Sequence, residues 1–221
     1  MSLAIQLTAL TEDTPERLVV HSGVMYRNIN IAELEAADGT FADAINPENT
    51  WTQSGRTFTP EPFGATKQGF TIETGMPVEP IPDVDGALGP TVGLMEVTSF
   101  APTFAGNLLE MADYRKMKEG LAAADASLTA SGLWKIEPRA YVTKNDHLGN
   151  LAVFCQTSNP NTNHLWLAVL FNPIGGASSI QLTRGANVLP VTYRGCASLS
   201  ASTQPPIRFY VPRNAADGSG S

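Results

Sequence analysis

Along most of this chain apolar and polar residues alternate with a period of two, and that alternation predicts strands. From Arg17 to Ile31 it runs around Val19, His21, Gly23, Met25 and Arg27. Gln68 to Glu79 reads as a strand with Phe70, Ile72 and Thr74 on one face. Thr91 to Phe100 opposes Val92, Leu94, Glu96 and Thr98 to Met95 and Val97. Short strands are expected at Leu133 to Ile136 and Arg139 to Thr143, split by Pro138. The latter should turn through Lys144 to Asn150 into a hairpin partner at Leu151 to Thr157. Leu165 to Asn172 is the most hydrophobic run and is expected to lie centrally. Ser179 to Thr183, Val188 to Tyr193 and Ile207 to Val211 complete the set, with Pro190 assigning the second of these to an edge. The prolines from Pro77 to Pro82 make a corner, because each removes a ladder donor.

Helical spacing stands out once. From about Phe104 to Ala124, Phe104, Leu108, Met111 and Ala112 share a helix face, with Thr103 as the N-cap and Arg115 and Glu119 paired outside. Gly106 and Gly120 weaken its two ends. Ala32 to Lys67 reads as a long loop, rich in Gly, Pro, Thr, Asn and Asp, that carries Phe41, Trp51, Phe58 and Phe63. Those aromatics either pack on their own domain or dock on a neighbour. Nine or ten strands, one helix and a long loop predict a mainly β fold, an antiparallel β-sandwich or partly closed barrel. Residues 1–16 read as an N-terminal arm, 17–197 as the β domain and 198–221 as a C-terminal arm whose Gly-Ser ending is a linker or scar.

Charge changes the picture. Only 16% of residues are charged, against about 25% in an average soluble domain. Much of the surface is therefore neutral, as in proteins covered by partners and in many secreted β proteins. The net charge is −7, with 14 basic against 21 acidic residues. The densest basic stretch, Arg115, Lys116 and Lys118, is interleaved with Asp113 and Glu119, which excludes a conventional DNA-binding footprint. Cys155 and Cys196 each sit among apolar or small residues, as reduced thiols or as one disulfide. No apolar run approaches the ~20 residues that cross a bilayer, and Met1 to Leu10 lacks a signal-peptide pattern, so no membrane partner is expected and synthesis is cytoplasmic.

Catalytic chemistry finds little to use. No Ser stands in a nucleophile elbow, and His21, His147 and His164 lie in a strand and in polar turns. Asp83, Asp85 and Gly86 fall short of a calcium loop and read as an acidic turn. Asp146 and His147 read as a solvated hairpin tip, and Gly175 and Gly176 as a turn. The expectation is a non-enzyme without cofactor or metal.

One order of segments is shared with a known family. Gly69-Phe70-Thr71-Ile72-Glu73-Thr74 is followed by Asp83-Val84-Asp85-Gly86-Ala87-Leu88-Gly89-Pro90-Thr91-Val92-Gly93-Leu94 and then by Asn107-Leu108-Leu109-Glu110. With Gly23-Val24-Met25-Tyr26-Arg27-Asn28-Ile29 at the start, and Leu170-Phe171-Asn172-Pro173 and Tyr193-Arg194-Gly195 late, it resembles the tail tube (major tail) proteins of long-tailed bacteriophages. The likeness spans residues 17 to 197 with loose motifs.

The resemblance implies a virion structural protein that forms hexameric rings of β domains, whose joined inner sheets stack into a hollow tube for DNA ejection. Partners implied are the chain itself, the tape-measure protein, and the tail tip and tail terminator proteins. DNA would pass through the lumen without specific binding, past a wall whose acidity repels phosphate. The long loop, with Trp51, Phe58 and Phe63, and the Ser198 to Asn214 tail would be ring-to-ring arms, so deletion of residues 40 to 62 should leave a folded domain that makes no tubes. The competing readings are an inner tube of a type VI secretion-like system, and a carbohydrate-binding β-sandwich using Trp51, Trp134 and Trp166.

Overall fold

The computed structural model describes residues 24–64, 66–81, 92–109, 112–156, 165–176, 187–198 and 204–211. Among them the fold is mainly β and antiparallel. One sheet has five strands: β1 (Val24–Arg27), β4 (Glu61–Pro62), β11 (Asn150–Gln156), β12 (Leu165–Phe171) and β15 (Ile207–Tyr210), in the order β15-β12-β11-β1-β4. A second has four: β5 (Thr66–Glu73), β8 (Thr103–Leu108), β13 (Ile174–Gly176) and β14 (Leu189–Arg194), in the order β13-β14-β8-β5. Three two-stranded ribbons complete the set: β2 (Trp51–Gln53) with β3 (Arg56–Phe58), β6 (Val78–Pro80) with β7 (Met95–Val97), and β9 (Ala124–Leu128) with β10 (Trp134–Pro138).

The two large sheets enclose the main core. Met25, Leu151, Val153, Ala168, Leu170 and Ile207 from the first meet Phe104, Leu108, Leu189, Val191 and Tyr193 from the second. Alternate residues of β11 and β12, namely Ala152, Phe154, Leu167 and Val169, face the other way into a second cluster. Two short helices, α1 (Ile31–Glu35) and α2 (Phe41–Ile45), cover that outer face through Ile31, Leu34, Phe41 and Ile45. Burial on both faces explains why the β12 run is unbroken in its hydrophobicity. The expectation that this strand is interior holds.

Several expectations need correction. Ala32 to Lys67 is not an open loop. Asn30 caps α1, a Thr40–Asp43 capping box starts α2, and the Ser54–Gly55 turn, with both φ values positive, closes the β2–β3 hairpin. The expected helix from about 104 to 124 is a strand at its start: among the described residues there, α3 (Tyr114–Gly120) alone is helical. Phe104 and Leu108 lie four apart, a spacing that fits period two as well as 3.6. Gly106 decides for the strand because the Phe70 ring lies over it; a Cβ there would meet that ring at 2.8 Å.

The strand expected from Arg17 is described only as Val24–Arg27, and Ile31 is helical. Arg139 to Thr143 is not a strand, and β11 pairs instead with β1 and β12. Pro190 lies in an interior strand rather than at an edge. It is tolerated because β13 pairs only with Thr192 to Arg194, leaving one side of Pro190 without a described ladder. Part of the expected C-terminal arm is strand β15, with Ile207 in the core. The 1–16 arm and Ser179 to Thr183 lie outside the described residues. Cys155 and Cys196 are both free thiols.

Candidate assembly surface

The β5–β8 hairpin does not end at the sheet. Beyond Glu73 and Thr103 the two chains continue side by side, held by the Ala101 amide donating to the Gly75 carbonyl at 2.9 Å. Thr98 then donates to Pro77 at 3.2 Å and Ile81 to Leu94 at 3.0 Å. Gly75 (φ +55°) makes the bend, and it must be glycine: a Cβ would sit 2.2 Å from the Ala101 carbonyl oxygen. The result is an arm built on β6 and β7. In extended geometry residues 74 to 81 span up to about 25 Å.

Register gives the arm two chemically distinct faces. Val78 pairs with Val97 and Pro80 with Met95, placing four apolar residues on one face, while Glu79 pairs with Glu96 on the other. Val78 is 56% exposed and Val97 43%, and Met76, Ile81, Met95 and Phe100 are exposed beside them. None of these residues joins either core cluster. An isolated two-stranded ribbon is marginally stable in water, and like charges directly opposite one another destabilise it further. An exposed apolar face of this kind is a candidate interaction surface.

A second exposed surface surrounds α3. Asp113 caps its N-terminus by accepting from the Arg115 amide at 2.9 Å. Trp134 of β10 stacks flat on Tyr114, with centroids 3.8 Å apart and planes within 5°. Leu128 and Leu133 beside it are 61% and 69% exposed. Arg115 and Lys118 border a cavity of about 220 Å³ between α3 and the turn at Lys144–Asp146.

A partly buried ion pair fastens α3 to the sandwich. Arg27 on β1 bonds Glu119 of α3, and also Glu61 on β4 at 2.6 Å. The expectation that Glu119 lies outside, paired with Arg115, is therefore corrected. Gly175 admits the helix because a Cβ there would lie 2.1 Å from the Glu119 carbonyl oxygen. Burial pushes the Glu119 carboxyl above the usual carboxylate range, more than the Arg27 guanidinium pulls it down. Tyr193 beneath is pushed up too, by burial first and then by the Glu119 charge. Its hydroxyl, Arg27 Nε and Glu119 Oε2 are buried without a hydrogen-bond partner among the described residues.

The residues expected to form an assembly loop lie elsewhere. Phe63 is 1% exposed and packs edge-on to Tyr193 at 5.4 Å; Phe58 is 7% exposed and stacks on Trp51 at 4.7 Å. The Trp51 indole N–H donates to the Asn28 carbonyl at 2.7 Å. All three pack on their own domain, which corrects the docking role. Phe63→Ala is accordingly expected to cost about 3–5 kcal/mol of folding stability in urea denaturation. Unchanged stability with lost assembly would restore the docking role.

Asp83, Asp85 and Gly86 lie outside the described residues. Asp146 is not a solvated tip: it accepts from the Thr143 amide at 2.6 Å and hydroxyl at 2.8 Å, and it pairs with Arg139. The sequence put Met95 and Val97 on one face of an expected strand and Val78 and Pro80 in a corner, but did not join them into one surface. The usable signal was the alternation of Met95, Glu96 and Val97; the facing Val78-Glu79-Pro80 shows the same order, but proline obscures it as a strand. No family model matches the chain, and no curated protein matches it.

Proposed function

We propose that this chain is a structural subunit of a tail tube of the kind found in long-tailed bacteriophages, assembling as hexameric rings stacked into a hollow conduit for DNA. The observation that carries this reading is the projecting arm with an uncovered apolar face, on a sandwich that uses Trp51, Phe58 and Phe63 for its own packing. Six exposed apolar residues, each with roughly half its surface to bury, represent on the order of 5 kcal/mol per arm when covered.

The sandwich offers a wall as well as an arm. The outer face of the five-stranded sheet is covered by α1 and α2. The outer face of the four-stranded sheet presents Thr71, Glu73, Thr103, Ala105, Thr192 and Arg194, and its edges β5 and β13 have no further partner among the described strands. Joining such sheets edge to edge satisfies the open ladders and makes a continuous wall of small and polar groups. In a chain of net charge −7, such a wall does not hold phosphate. Tape-measure, tail tip and tail terminator proteins are the further partners of this reading, with synthesis in the host cytoplasm and residence in the virion tail.

The carbohydrate-binding alternative gains no support from the tryptophans. Trp51 lies against Phe58, Trp134 against Tyr114 and Trp166 against Phe209, three separate pairs rather than one platform. Sedimentation velocity across a concentration series tests the proposal. Hexamers and larger species growing with concentration are expected; a lone monomer boundary at every concentration, even with added tail tips, contradicts it.

A further inference from the structure

The arm and the α3 surface are complementary in charge as well as in shared apolar character. Between residues 74 and 101 the sequence holds four acidic residues, Glu79, Asp83, Asp85 and Glu96, and no Lys or Arg. Between residues 113 and 146 it holds six of the chain's 14 basic residues, Arg115, Lys116, Lys118, Lys135, Arg139 and Lys144, against five acidic ones; Lys116, Lys135 and Arg139 pair with Asp113, Glu137, and Asp125 and Asp146. In a chain of net charge −7 this stretch is the less acidic one, and Arg115 and Lys118 stand on its helix α3. On the arm, Glu79 and Glu96 face each other directly across the ribbon, an arrangement that gains from a cation placed between or beside them. On the other surface, Arg115 and Lys118 line the cavity beside α3, and Leu128, Leu133 and Trp134 supply exposed apolar area.

Placement in the fold separates the two surfaces within one chain. The arm extends β5 and β8 on one side of the four-stranded sheet, while α3 packs on β13 and β14 on the other. Two different, complementary surfaces on opposite sides of one subunit define a head-to-tail contact, which closes into rings or continues as a stack.

We infer that the arm of one copy inserts at the α3 and β9–β10 surface of another with a wall on each side, its apolar face toward Leu128, Leu133 and Trp134 and its opposite face, with the Glu79–Glu96 pair, toward Arg115 and Lys118. This rests on the proposed self-assembly and names the receiving surface. The occupant is a second copy of this chain rather than an unrelated acidic protein, because both halves of the match are present on one chain.

Charge reversal in the full chain tests it. Arg115→Glu with Lys118→Glu, and separately Glu79→Lys with Glu96→Lys, are each expected to raise the concentration needed for assembly at least about tenfold. Combining all four substitutions in one chain, or mixing the two double variants, should restore assembly toward the wild-type threshold. Circular dichroism on each variant monitors the fold. A wild-type chain that assembles while the Arg115/Lys118 variant assembles at the same threshold overturns this inference alone. Loss in both double variants without recovery in the combined chain or the mixture also overturns it, as does a variant whose loss of assembly coincides with loss of fold. A wild-type chain that never assembles overturns this inference and the tail-tube reading together.

Discussion

Removing residues 76–100 and joining Gly75 to Ala101 through Asn-Gly is expected to leave a folded monomer that no longer assembles. The join is geometrically prepared. The Ala101 amide already donates to the Gly75 carbonyl at 2.9 Å, which is the closing hydrogen bond of a two-residue hairpin, and Asn-Gly is the sequence such a turn favours. None of the described residues among those excised belongs to either core cluster, so the thermal midpoint should stay within a few degrees while light scattering loses all species above the monomer. Assembly at the wild-type concentration would remove the arm from the account. Failure to fold would show that the arm stabilises the subunit itself. The contrasting deletion of residues 40 to 62 is expected to unfold the chain, because it removes the whole of α2, with buried Ala44, the β2–β3 hairpin with Phe58, and β4, which pairs with β1.

The second large effect is expected at Arg27. Arg27→Leu leaves Glu119, one-fifth exposed, without its principal cation; breaking a fully buried pair from one side costs about 3–5 kcal/mol, and solvent contact at Glu119 brings the expected loss to roughly 2–3 kcal/mol. That is a sizeable part of the roughly 5–15 kcal/mol that stabilises an ordinary domain. Replacing both partners, as in Arg27→Leu with Glu119→Leu, should recover most of the loss, since an apolar pair carries no desolvation penalty.

The loss should also depend on pH. A carboxyl whose folded pKa lies above its ordinary value of 4.5 binds more protons folded than unfolded. Its favourable contribution is therefore complete below about pH 4.5 and falls away as pH rises through the folded value. Arg27→Leu should thus cost more at pH 7 than at pH 4.5, and the double variant should show less of this difference. Glu61, Asp113 and Lys116 also act on this cluster, so the comparison is made against the double variant rather than against wild type. Equal losses in the single and double variants, measured by urea denaturation, would show that the pair is not the source of the effect.

Much of the architecture was legible because period two is a local signal. β11, β12, β15 and β5 fall close to where alternation or unbroken hydrophobicity puts them. The misassignments occur where two explanations share one spacing or where a distant partner decides. Phe104 and Leu108 satisfy both helix and strand, and the Phe70 ring over Gly106 resolves the choice from another strand. Glu119 sits at the right distance from Arg115 for an exposed pair, yet Arg27, far away in sequence, draws it inward. The aromatics of Ala32 to Lys67 leave two destinations open on sequence grounds, and the cover needed by the outer face of β11 and β12 accounts for Phe41.

The proposed assembly surface was the least legible part. Its apolar face exists only when Val78-Glu79-Pro80 is laid against Met95-Glu96-Val97, a pairing across fourteen intervening residues that period analysis of either segment does not supply. Proline in the first segment read as a corner. In a ribbon outside the main sheets, Pro80 sacrifices no interior ladder, so the same residue is compatible with a strand.

Negative-stain electron microscopy of the purified wild-type chain at high concentration tests the central claim most directly. Six-fold rings or hollow tubes are the predicted result. Isolated monomers at every concentration, including in the presence of tail tips as seeds, would contradict it.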